Sequence, residues 1–109
     1  MTWKLVFLPE AEKEFRSLAG NERIVVAKAL NKVIENPLSV NEGGYGKPLG
    51  NKQGNSLSGF LKVKIKNLGI RIVYKLVKVE GQMLVVVIGA RADGEVYDVA
   101  KKRINKYDI

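Results

Sequence analysis

The spacing of hydrophobic and polar positions changes several times along the chain. "WKLVFL" at 3–8 is almost continuously apolar, which predicts a short strand ended by Pro9. Ala11, Phe15 and Leu18 then recur at helical spacing, predicting a helix over 10–19 closed by Gly20. Asn21 stands where it can cap a second helix, in which Val26, Ala27, Leu30, Val33 and Ile34 make one apolar stripe. "NP" at 36–37 stops that helix. Two short amphipathic helices with so little chain between them predict an antiparallel hairpin lying on a sheet.

Residues 39–59 hold six of the eleven glycines and show no clear period, so they read as a long loop pinned by Leu49 and Leu57. Alternation then returns, predicting strands at about 60–66, 70–79 and 82–91. "MLVVVI" is apolar at every position, as expected of a central strand covered on both faces. In the final stretch Val96, Val99, Ala100 and Arg103 share one side of a terminal helix, with Asp93 and Glu95 near its start. The expected architecture is α+β: a two-layer sandwich on a mainly antiparallel four-stranded sheet, in the order β-α-α-β-β-β-α. No repeat or linker divides the chain, so 1–109 is expected to form one domain.

The 109 residues include neither cysteine nor histidine. Disulfides, thiol nucleophiles and the commonest metal ligand are thereby excluded, and acid–base chemistry would fall to Lys, Arg, Tyr or carboxylates. The longest apolar run, Met83 to Ile88, is far too short to span a bilayer. The first residues do not have the form of a signal peptide, so the cytoplasm is the expected location. Nineteen Lys and Arg against eleven Asp and Glu give a net charge of +8, which points to a polyanionic partner.

The cations are not scattered. Lys62, Lys64 and Lys66 alternate with Leu61, Val63 and Ile65, so the lysines share one face of a strand and the apolar residues the other. If Ile65 opposes Ile70, as an even-numbered connection requires, Lys64 sits opposite Arg71 and Lys62 opposite Val73. Lys62, Lys64, Lys66 and Arg71 then crowd one patch, with Lys75 further along. Lysines two apart on a strand are about 6.5–7 Å apart, a spacing suited to gripping an extended polyanion. A solvated outer sheet face can carry such a row too, and the patch alone says only that phosphate or acidic protein would bind.

Arg91 closes the last predicted strand, and Tyr97 follows at the start of the terminal helix. An arginine holds phosphate bidentately, and a tyrosine there stacks on a base, exchanges a proton, or simply packs on the sheet. A two-residue "EG" turn at 80–81 would aim Arg91 into the core. A longer connection, a bulge, or a strand ending before Arg91 is therefore required. Glu10 and Glu14 share a helix face with Lys13 and Arg16 beside them, and read as solvated surface.

Taken in order, these fragments resemble the RelE toxins of toxin–antitoxin pairs, within the wider RelE/ParE superfamily. The similarity runs through "W-x-L-x-F-x-x-x-A-x-K-E-F-x-x-L" at 3–18, "NP" at 36–37 and "GKPL" at 46–49. It continues through "K-V-K-I" at 62–65, "G-I-R-I-V-Y-K-L" at 69–76, "V-V-V-I-G-A-R" at 85–91 and "E-V-Y" at 95–97. The resemblance implies a metal- and cofactor-independent endoribonuclease that cleaves messenger RNA in the ribosomal A site, held in check by an acidic, RelB-like antitoxin. It places the catalytic set at Lys62, Lys64, Arg71, Arg91 and Tyr97; the patch read from the strands adds Lys66 and Lys75 to Lys62 and Lys64 as the lysines expected to hold RNA. Asp93 stands near where some members carry a second basic residue. The same fold also implies an alternative, a ParE-like toxin that blocks DNA gyrase by binding alone, which would have no chemical need of Tyr97. A passive RNA-binding module would keep the charge and likewise not need Tyr97.

Overall fold

The computed structural model describes residues 2–52, 54–90 and 92–109. Its elements are β1 (Lys4–Phe7), α1 (Pro9–Ser17), α2 (Gly20–Val33), β2 (Lys47–Lys52), β3 (Asn55–Ile65), β4 (Ile70–Val77), β5 (Gln82–Gly89) and α3 (Asp93–Tyr107). The strands form one sheet in the order β1-β5-β4-β3-β2, antiparallel except where β1 runs parallel to β5.

The hydrophobic pattern explains this order. In β4, consecutive residues Ile72, Val73 and Tyr74 are each at most 1% exposed, and in β5 so are Val85, Val86 and Val87. Strands apolar on both faces belong inside a sheet with cover on both sides. α3 gives that cover on one face, where Val96, Tyr97 and Ala100 are buried. On the opposite face Tyr74 Oη donates to the Pro37 carbonyl just beyond α2 (2.8 Å). The α+β class is as expected, with cover on a second face of the sheet beyond the two layers anticipated.

Two local expectations are corrected. The 39–59 stretch is not a loop throughout, because β2 pairs with a β3 that begins at Asn55. Its glycines and Pro48 mask the strand, yet an edge position with a register shift between Pro48 and Gly50 tolerates both. Leu49 and Leu57 are buried, as anticipated. Asn21 does not cap α2, which starts at Gly20. Leu18 and Ala19 are extended (ψ 148° and 150°) and break the helices without a left-handed residue, so Gly20 opens α2 rather than closing α1.

The outer edge of β5 has a notable neighbour. β1 makes its last bond at Leu8 N–H to the Val85 carbonyl (3.0 Å). Beyond it, Glu14 of α1 accepts from Ile88 N–H (3.1 Å), and Arg103 of α3 donates to the Val86 carbonyl (2.9 Å). The same two side chains pair bidentately at 2.7 and 2.9 Å. Glu10 is also engaged, accepting from Tyr107 Oη (2.6 Å) and Lys106 Nζ (2.9 Å). The two glutamates expected on a solvated surface instead fasten α1 to the C-terminal helix.

Candidate active site

The anticipated register of β3 and β4 is the one found: Ile65 opposes Ile70, Lys64 opposes Arg71, and Lys62 opposes Val73. Directly paired residues share a face, so the side chains form rungs across the sheet, with neighbouring strands about 4.8 Å apart within each rung. One rung runs Lys47, Lys62, Val73, Val87 across β2 to β5, and the next runs Lys64, Arg71, Gly89. Lys47 was not singled out from the sequence, because β2 was not recognised. The signal was present in the two buried leucines, Leu49 and Leu57, on either side of a polar stretch.

β4 and β5 join through a 3-10 turn at Lys78–Glu80 instead of a two-residue turn, and their register shifts between Val73 and Tyr74, where Val86 is the extra residue. Their paired register now places Arg71 opposite Gly89, and β5 ends there. The strand thus stops before Arg91, one of the solutions required above. Arg91 itself lies outside the described residues.

Tyr97, in the second turn of α3, is brought over the first rung. Lys62 Nζ donates to its phenol oxygen at 2.8 Å. The ammonium is also 5.6 Å from the ring centroid, and the two distances together put it in line with the C–O bond rather than above the ring face. Tyr97 is only 2% exposed, so its ring belongs to the core. An ammonium has no lone pair, so the phenol oxygen accepts from Lys62 and its own hydrogen is left to point elsewhere.

Arg71 Nη1 donates to the Gly69 carbonyl (2.9 Å), which holds the guanidinium near the β3–β4 turn. Lys64 and Lys66 are exposed. A cavity of about 380 Å³ opens beside them, lined by Tyr45, Lys47, Lys62, Val63, Lys64 and Lys66. Lys75 is not brought to it; its ammonium lies 5.6 Å over the Phe60 ring and it lines a separate cavity. What the sequence placed together as Lys62, Lys64, Lys66, Arg71 and Tyr97 is therefore gathered at one end of β3, with Lys75 apart.

Fold and site together define a small α+β protein with a two-rung cationic face closed at one side by a tyrosine. No family model matches the chain. Over 107 residues it is 31% identical to the mRNA interferase toxin RelE of Escherichia coli (strain K12), covering 95% of this chain and 99% of that protein. The crystal structure of the isolated E. coli RelE toxin superposes with a TM-score of 0.67 at 28% identity, covering 94% of this chain and 98% of the other. Its counterpart in the intact E. coli RelBE toxin–antitoxin complex gives 0.63 at 26% identity, covering 83% and 98%. The chain belongs to the RelE family.

Proposed function

We propose that residues 1–109 form a single toxin domain that cleaves messenger RNA in the ribosomal A site and is neutralised by an acidic, RelB-like antitoxin. The observation that carries this reading is the Lys62–Tyr97 hydrogen bond set in a row of cations. Charge alone would serve binding. A phenol oxygen held by an ammonium beside exposed Lys64 and near Arg71 is an arrangement for moving protons next to a phosphate.

The reaction is an internal transfer. The ribose 2′-oxygen attacks phosphorus as its proton leaves to a base, a 2′,3′-cyclic phosphate forms, and the phosphorus–5′-oxygen bond breaks as that oxygen gains a proton. Lys64 and Tyr97 are the two candidates for the base. Arg71, with Lys62 and Lys64, would stabilise the negative charge that grows on the non-bridging oxygens. Arg91 belongs to the functional set by the family resemblance, and the chemistry would use it to hold the phosphate and to serve the leaving oxygen. With no histidine, such a site depends on an oriented substrate, which a decoding ribosome supplies.

The test is primer extension on a defined message in a purified translation system, with wild type, Arg91→Ala and Tyr97→Phe. Cuts at the decoding site, lost in both variants, support the reading. Intact message together with arrested growth would end it and turn attention to gyrase supercoiling.

A further inference from the structure

Tyr45 lies outside the proposed chemistry, yet it lines the lysine cavity together with Lys47, Lys62 and Lys64. Large aromatic side chains are usually covered, but this one is 46% exposed. Its exposure does not come from a loose loop. Tyr45 N–H donates to the Asn36 carbonyl (3.1 Å), Gly46 N–H to Leu38 (3.0 Å), and Gly44 N–H to Ser39 (2.9 Å). The glycines on either side pack so closely that a Cβ on Gly44 would strike the Leu38 carbonyl and one on Gly46 the Tyr74 hydroxyl. The backbone under the ring is therefore fixed, while the ring itself stands in solvent.

One face of that ring is occupied: Lys32 Nζ, from α2, lies 5.3 Å from its centroid. That cation–π contact adds to what holds the ring in place. Among the described residues, the surrounding cavity is lined by four lysines and no carboxylate. Fixed aromatic plus lysine row is the pairing by which single-stranded nucleic acid is held: bases stack, phosphates meet ammonium groups.

We propose that Tyr45 is a base-stacking residue of the RNA track, receiving an unpaired base of the single-stranded message while Lys47 contacts an adjoining phosphate. This goes beyond the residues the family resemblance assigns and rests on the proposed function only in taking RNA as the ligand. An acidic peptide would satisfy the lysines but brings no nucleobase to stack on the ring, which is why RNA is favoured.

The experiment reads binding, not cleavage, and so stands or falls separately from the nuclease. Titrate wild type, Tyr45→Ala and Tyr45→Phe with short single-stranded oligoadenylate, with inorganic polyphosphate as a ligand that has charge and no bases, and with polyglutamate. Tyr45→Ala is expected to weaken oligoadenylate binding about ten-fold, Tyr45→Phe to bind like wild type, and polyphosphate binding to be the same in all three. Equal losses for oligoadenylate and polyphosphate, or no loss for either, would overturn the stacking role. Wild type that ignores oligoadenylate yet binds polyglutamate in a Tyr45-dependent way would overturn it in favour of an acidic protein.

Discussion

The pairing of Glu14 with Arg103 can be tested for what it contributes. Both side chains are mostly buried, 21% and 14% exposed, and both also bond the backbone of β5. Truncating Glu14 to Ala removes three bonds at once, leaving Ile88 N–H without its acceptor and the guanidinium without its carboxylate. A fully buried pair broken on one side loses about 3–5 kcal/mol, and an exposed pair about 0–1. At this degree of burial water partly reaches the orphaned groups, so the expected loss is about 2–3 kcal/mol. For a domain of this length that lowers the melting temperature by about 10 °C. Arg103→Met, which keeps the packed stem, should cost a similar amount. Because each single variant strands the partner that the other variant removes, the double variant should lose much less than the sum, with a coupling energy of about 2 kcal/mol. Urea unfolding of the four proteins, with unchanged m-values, measures this. A coupling below about 0.5 kcal/mol would place the pair among ordinary surface ion pairs and refute the edge-capping role.

Three other outcomes are expected. Hydrogen bonds from Tyr107 and then from Lys106 hold the Glu10 carboxyl at about 2, below its ordinary value. A depressed folded-state value means the stabilisation is full above the unfolded pKa near 4.3 and is lost as pH falls toward 2; Glu10→Gln should flatten that acid limb in a stability–pH series. Gly46→Ala should destabilise by about 1–3 kcal/mol because its methyl meets the Tyr74 hydroxyl, and Tyr74→Phe should recover part of the loss; thermal melts of both variants and the pair decide it. Lys64→Ala should reduce the slope of log affinity against log salt for single-stranded RNA by about 0.7, whereas an unchanged slope would mean that Lys64 meets no phosphate.

The sheet's centre was legible because period-two alternation there leaves one consistent register. Shifting β3 against β4 by one residue would bury Lys62 and Lys64 and expose Val63 and Ile65, so the face of every cation followed from the apolar residues beside it. The edge strand was not legible. β2 is short, carries proline and glycine, and is pinned chiefly by Leu49, so its periodicity is too weak to read without β3 beside it. The link between Glu14 and Arg103 was hidden for another reason: 89 residues separate them, and helix-face spacing sees only neighbours three and four apart. Local pattern thus located the site's lysines and its tyrosine, while the contacts that fasten α3 over them depend on tertiary structure.

That fastening bears on the chemistry proposed for the site. In the free protein Lys62 and Tyr97 are bonded to one another. On the proposed function, a phosphate that takes the Lys62 ammonium as its counterion would compete with the phenol for it, so binding the substrate and releasing the tyrosine oxygen would become one event. The tyrosine cannot move away to meet the substrate instead, because Tyr97 is packed in the core on a helix clamped to α1 at Arg103, Lys106 and Tyr107. The substrate must come to the oxygen. A short, freely tumbling RNA offers few contacts with which to offset the Lys62–Tyr97 bond and its own loss of freedom. On the proposed function, a message already held in register by a ribosome would have met much of that cost in advance, and the rigid site would act best there.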